Sequence, residues 1–107
     1  MARTRLWALT LVAGLALAGI GPAGAEEYRI VLDKMQFGPV PAEVHPGDTI
    51  VWENHDLFQH TATARDKSFD IDLAPGAEAS MVVGKAGAVD FYCRFHPGMT
   101  GTLNITP

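Results

Sequence analysis

The sequence predicts an all-β protein, a Greek-key antiparallel β-sandwich of seven to eight strands preceded by a signal peptide. Three observations carry that expectation. Apolar residues recur at every second position through most of residues 26–107, which is the period of a strand with one buried face. Clusters of Gly, Pro, Asn and Asp interrupt the pattern about every eight to twelve residues, the spacing of sandwich turns. No window sustains a helical period, and there is no internal repeat or low-complexity tract.

The chain opens with Arg3 and Arg5, followed by an apolar run over residues 6–20 that Gly21-Pro22 ends. Small residues Ala23-Gly24-Ala25 then precede Glu26. That order reads as a secretory signal peptide cleaved after Ala25, with the run too short for the roughly 20 residues of a membrane anchor. No cysteine follows to accept a lipid and there is no twin-arginine pair, so export unfolded, with metal uptake afterwards, is expected. Residues 1–25 are thus assigned to the signal and 26–107 to one domain in the periplasm.

In that domain Tyr28, Ile30 and Leu32 alternate with Arg29, Val31 and Asp33 as a first strand. Residues 37–41, with two prolines, suit a sheet edge, where a missing N–H costs no ladder bond. The turn His45-Pro46-Gly47-Asp48 leads into a strand over 49–54 that puts Ile50 and Trp52 on one face. A strand over 59–64 contains two β-branched threonines. Ala74-Pro75-Gly76 turns the chain into a strand over 79–83, and residues 84–87 turn it again. Val89, Phe91 and Cys93 share a face over 88–93, and Leu103 and Ile105 point inward over 102–106.

Removing the signal leaves six Lys and Arg against twelve Asp and Glu, a net charge of −6. Such a surface repels nucleic acid and anionic membranes and suits a partner with a basic face. We expect no nucleic-acid binding, no stable membrane association and a monomer. A domain this small is marginal in stability without a staple, yet a single cysteine allows no internal disulfide. A lone thiol in an oxidising compartment is a liability unless buried or used.

Cys93-Arg94-Phe95-His96-Pro97-Gly98-Met99 brings a thiol, an imidazole and a thioether within seven residues, between two strands expected to be neighbours. One thiolate and two imidazoles in a trigonal plane, with a distant axial thioether, make a blue-copper electron-transfer site. The second imidazole must come from elsewhere, and His60, at a strand start, is the best candidate. His55 competes for the role but ends the preceding strand, and His45 reads as a turn residue. Taken singly, Cys93 reads as a buried packing thiol, Met99 as core and His96 as an ordinary loop residue. A cysteine nucleophile would need an orienting group and an oxyanion site, and no signature of either is present. Structural zinc also takes Cys and His but rarely a thioether.

Residues 37–106 resemble the small blue copper proteins of the cupredoxin family, in the plastocyanin, pseudoazurin and amicyanin group. The stretches that match are Val44-His45-Pro46-Gly47-Asp48-Thr49-Ile50-Val51-Trp52-Glu53-Asn54, His60-Thr61, Leu73-Ala74-Pro75-Gly76, and Tyr92-Cys93 through Met99-Thr100-Gly101. The short gap between His96 and Met99 is most like amicyanins. The resemblance implies one copper ion, Cu(I)/Cu(II), with His60, Cys93 and His96 equatorial and Met99 axial. It implies a soluble electron carrier, not an enzyme, with His96 as the electron port and redox proteins docking transiently near it. Leu57, Phe58, Phe95, Pro97 and Gly98, with Met35 beyond, would form the apolar collar for that docking. The alternative is a copper-handling or copper-tolerance protein that buffers the ion with the same ligands. Family members commonly carry Asn after the first histidine ligand, bracing the copper loop; this chain has Thr61. Its backbone amide is still expected to reach the Cys93 sulfur.

Overall fold

Eight strands form two four-stranded sheets in a computed structural model that describes residues 25–107. They are β1 (Glu27–Asp33), β2 (Gln36–Phe37), β3 (Thr49–Asn54), β4 (His60–Ala64), β5 (Asp70–Leu73), β6 (Glu78–Val82), β7 (Gly87–Cys93) and β8 (His96–Ile105). One sheet runs β2-β1-β3-β6 and the other β5-β4-β7-β8, so the chain crosses between layers after β3, β5 and β6. The expected sandwich is present, its strand pairs antiparallel except that β1 pairs parallel with β3, and an isolated parallel bridge joins Val44 to Ile105. The signal-peptide expectation falls outside the described residues as far as residue 24. Among the described residues no helix is long and apolar enough to cross a membrane.

The strand periodicity translates into one core. Ile30, Leu32, Ile50 and Trp52 from the first sheet meet Ala62, Leu73, Phe91 and Leu103 from the second, all fully buried. At its centre Phe91 lies edge-on to Phe37 and Trp52, with ring centroids 4.8 and 5.2 Å away. Each buried large side chain contributes about 1.5–3 kcal/mol, and edge-to-face pairs add about 0.5–1.5 kcal/mol. Gly101 lies opposite Phe91 on β8 because the ring occupies its side-chain space: a Cβ there would stand 2.7 Å from Phe91 Cε2.

Turn chemistry sets the register. Pro46-Gly47 and Pro75-Gly76 supply a fixed φ followed by a positive one (93° and 76° at the glycines), the pairing a type II turn requires. Asp48 N–H to His45 O (3.0 Å) and Ala77 N–H to Ala74 O (2.9 Å) close the two turns. Between β1 and β2 the turn residues are Lys34 and Met35, with φ of 53° and 62°. A two-residue hairpin turn of this hand normally uses Gly or Asn, and left-handed backbone costs about 1–2 kcal/mol per residue. The compensation is local: Lys34 N–H donates to Asp33 Oδ1 and Asp56 Oδ1, and Met35 N–H to Asp56 Oδ2.

Three elements differ from expectation. β5 has no counterpart among the expected strands: Ile71 and Leu73 keep the period-two alternation with exposed Asp70 and Asp72, but the strand is only four residues long. The edge over 37–41 reduces to β2, since its prolines cannot extend a ladder. The last strand begins at His96 rather than 102, so the supposed loop is largely a hairpin.

Asp48 is fully buried and accepts the backbone N–H of Glu26 (2.9 Å) and of His45 (2.7 Å). Those two amides, Glu26 foremost, hold its carboxyl below the usual carboxylate range. A lowered folded value means that the stabilisation is present above the unfolded value of about 3.9 and is lost as pH falls through the folded value. Urea unfolding of metal-free 26–107 should therefore show stability falling on acidification below about pH 4. The slope should be shallower in Asp48→Asn.

Candidate metal centre

Of the four expected donors, His60, Cys93 and His96 approach one another at one end of the sandwich, each placed by an element boundary, while Met99 is buried within β8. His60 opens β4, Cys93 ends β7, and His96 opens β8 directly opposite Cys93. The β7–β8 register jumps there: Tyr92 faces Thr100 and Cys93 faces His96, leaving Pro97, Gly98 and Met99 outside the ladder. Such a bulge re-aims side chains. Here it leaves Met99 only 4% exposed, within the buried cluster that holds Cys93, while Pro97 and Gly98 stay at the surface.

His60 Nδ1 lies 3.6 Å from Cys93 Sγ, both residues fully buried. Bonds of about 2.0 Å to imidazole and 2.3 Å to thiolate, at a trigonal angle, would put those donor atoms roughly 3.7 Å apart. The spacing therefore fits one shared ion. The His96 ring stands 5.1 Å from the His60 ring, centroid to centroid, and is half-buried. Among the described residues, no three His, Cys, Asp or Glu side chains close into a metal-holding group. His96 is connected to the His60–Cys93 pair by the ring approach alone, and the Met99 thioether by its burial in the same core. His55 is exposed and bonded to Glu53, and His45 is half-exposed beside Glu43 and Asp48, so neither joins the cluster.

The surroundings immobilise these donors. Thr61 N–H donates to Cys93 Sγ at 3.3 Å, as expected from the sequence. The Thr61 hydroxyl accepts Arg94 N–H (2.9 Å) and bonds the Thr63 hydroxyl (2.9 Å). This side chain therefore braces the hairpin that carries Cys93 and His96, although it is not Asn. Asn54, fully buried, donates through Nδ2 to Phe58 O (2.7 Å) and Leu73 O (3.0 Å) and accepts Asp56 N–H (2.9 Å), folding residues 55–59 back toward the site.

Asp56, which the sequence does not single out, bonds His60 Nε2 at 2.7 Å. Burial disfavours its charge, but the Met35 amide, the His60 ring and the Lys34 amide outweigh that and hold its carboxyl below the usual range. An acid four residues before a histidine in an irregular loop carries no periodic signal, so only the fold reveals the contact. Around the site Leu57 (90%), Phe58, Phe95 and Met35 present exposed apolar surface. A groove of about 620 Å³ elsewhere, between the Asp66–Phe69 turn and residues 81–89, contains none of the donors.

Comparison with known proteins agrees with this architecture. The Cupredoxin-like domain family matches residues 5–105. The plastocyanin of Nostoc punctiforme is 32% identical over 106 residues, covering 78% of this chain and 76% of its own. Among solved structures, a Cu(I) amicyanin variant superposes with a TM-score of 0.64 at 22% identity, covering 75% of this chain and 82% of amicyanin. The purple cupredoxin of Nitrosopumilus maritimus gives 0.62 at 22%, covering 74% and 99%. The copper-containing nitrite reductase of Thermus scotoductus gives 0.68 at 22%, but this chain spans only 22% of that enzyme's length.

Thr61→Val keeps the shape of the side chain and removes its hydroxyl, leaving the Arg94 amide without its acceptor, while the Thr63 hydroxyl keeps its bond to Asp70 Oδ1 (2.8 Å). Urea titration of the metal-free protein should register a loss of about 1–3 kcal/mol. An unchanged midpoint would mean that the hydroxyl does not brace the hairpin.

Proposed function

This chain belongs to the cupredoxin-like family, and on that premise we propose that it is an exported one-electron carrier using one copper ion held by His60, Cys93, His96 and Met99. The observation that carries the reading is the approach of His60 Nδ1 to Cys93 Sγ, 3.6 Å apart in a fully buried end of the sandwich. The relatives support it: one neighbour is an amicyanin variant in its Cu(I) form, and another is a purple cupredoxin. Bound copper would supply the Cu(II)/Cu(I) step, and a ligand set intermediate between the preferences of the two states keeps the rearrangement small.

The protein's own residues then have separate tasks. Cys93 supplies the thiolate, formed on metal binding because a free thiol is mostly protonated at neutral pH. Thr61 N–H and the buried cluster keep its sulfur shielded. His96, half-buried and with Phe58 6.4 Å from its ring, is the path for the electron. The exposed Leu57, Phe58 and Phe95 around it suit brief docking with redox proteins, whose interfaces are small. The net charge of −6 beyond that rim favours partners with a basic face. An enzymatic role finds no support in the remaining histidines, His45 and His55, each of which is engaged by its own acidic neighbours.

Residues 1–25 are proposed to be the signal peptide, leaving a monomeric periplasmic domain of 26–107. Support comes from Glu26, whose N–H is held by buried Asp48 and whose carbonyl accepts Thr49 N–H (2.8 Å). Glu26 is therefore anchored on both sides. The mass of the protein recovered after export should correspond to a chain starting at Glu26, and a start inside β1 would overturn the boundary.

Copper(II) added to reduced 26–107 should give an intense thiolate-to-copper charge-transfer band that bleaches reversibly on reduction and is absent in Cys93→Ser. Weak tetragonal copper signals in electron paramagnetic resonance, insensitive to Cys93, would overturn the ligand set and leave copper buffering as the better reading.

A further inference from the structure

Asp56 is the one acidic side chain joined directly to a proposed metal ligand among the described residues' ion pairs. Its carboxylate accepts three hydrogen bonds from two parts of the chain: Lys34 N–H (2.7 Å) and Met35 N–H (3.0 Å) from the β1–β2 turn, and His60 Nε2 (2.7 Å). Its own N–H is held by Asn54 Oδ1 at 2.9 Å. The carboxylate is thus fixed from both its ends, only 11% exposed, against a histidine with no exposure.

We propose that Asp56 is a positioning residue for the electron carrier, fixing the tautomer and aim of His60 and favouring oxidised over reduced copper. The inference rests on the copper reading above. A carboxylate accepts and does not donate, so the proton of neutral His60 resides on Nε2. The Nδ1 lone pair is then left facing Cys93 Sγ, which is the orientation a shared ion needs. A carboxylate hydrogen-bonded to a ligating imidazole also raises its basicity and tunes the metal. A negative charge so close, in a site screened weakly by water, stabilises the extra positive charge of Cu(II). A purely structural Asp56 would need only its two bonds to the β1–β2 turn, and those do not account for the third.

The test compares the holoprotein with Asp56→Asn. The amide oxygen can still accept from His60 Nε2, so geometry is largely kept while the charge is removed. The preference for Cu(II) over Cu(I) should fall about tenfold, read in voltammetry as a reduction potential about 59 mV higher for a one-electron couple. A folded variant with its Cys93-dependent band intact and an unchanged or lower potential overturns the proposal. Imidazole ¹⁵N resonances of the wild-type reduced apoprotein give a second reading that needs no variant. They should report the Nε2–H tautomer at His60, and finding Nδ1–H overturns the positioning role even if Asp56→Asn fails to fold. Absence of the Cys93-dependent band in the wild type itself overturns the copper reading first, and this one with it.

Discussion

The ladder between β4 and β7 runs backbone to backbone only as far as Thr63 opposite Tyr92. Beyond that point Thr61 N–H donates to the sulfur of Cys93, and Arg94 N–H donates to the hydroxyl of Thr61. Side-chain acceptors have replaced carbonyls at the two positions where the strands diverge. The divergence leaves His60 Nδ1 and the Cys93 sulfur facing each other inside the sandwich, and the replacement bonds keep buried amides satisfied while it does so, as any buried backbone requires. The rest of the site follows from this opening. His60, one residue before Thr61, faces the sulfur, and the β7–β8 bulge takes Met99 out of the ladder into buried surroundings.

The remainder of the fold supplies rigidity to that end. The aromatic group of Phe37, Trp52, Phe69 and Phe91 spans both sheets, with Gly101 giving way to the Phe91 ring. Of the buried side-chain nitrogens and oxygens among the described residues, only Trp52 Nε1 has no hydrogen-bond partner. An unpaired indole N–H costs about 1–3 kcal/mol, a penalty of the same order as the gain from one buried aromatic ring. The core therefore tolerates this single exception while the polar groups around Cys93 are paired, which is where a displaced donor would matter most.

How far these features could be read from the sequence depended on whether they repeat. Period-two burial in β1, β3 and β7 and the Pro-Gly turns were legible, because each rests on a local rule that holds whatever lies across the sheet. β5 was not, since at four residues its alternation is too short to stand out, and only pairing with β4 defines it. The spacing of Cys93, His96 and Met99 pointed to the hairpin's candidate donors, His60 followed as the histidine at a strand start, and the resemblance implied the set of four. Asp56 escaped notice because its role is a meeting of three segments, residues 34–35, 54–56 and 60, and no pairwise spacing encodes it. Thr61 looked like a departure from the family pattern. In the fold its amide and hydroxyl both contribute, and a hydroxyl suffices because Arg94 N–H lies 2.9 Å away.

In the proposed carrier these braces divide the work in a way that electron transfer demands. Each bond described around His60 and Cys93 is made by the protein to itself: Asp56 to His60, Thr61 to Cys93 and Arg94, and Asn54 to the 55–59 loop. None requires an ion, so the same bonds can persist in either oxidation state, and a barrier arising from ligand movement stays small. The exposed face is built to the opposite rule. Leu57, Phe58 and Phe95 belong to short irregular segments at the surface, where apolar area can be covered and uncovered quickly. A carrier must hold its metal tightly and its partners loosely. The division falls at His96, whose ring approaches His60 on the buried side and Phe58 on the other.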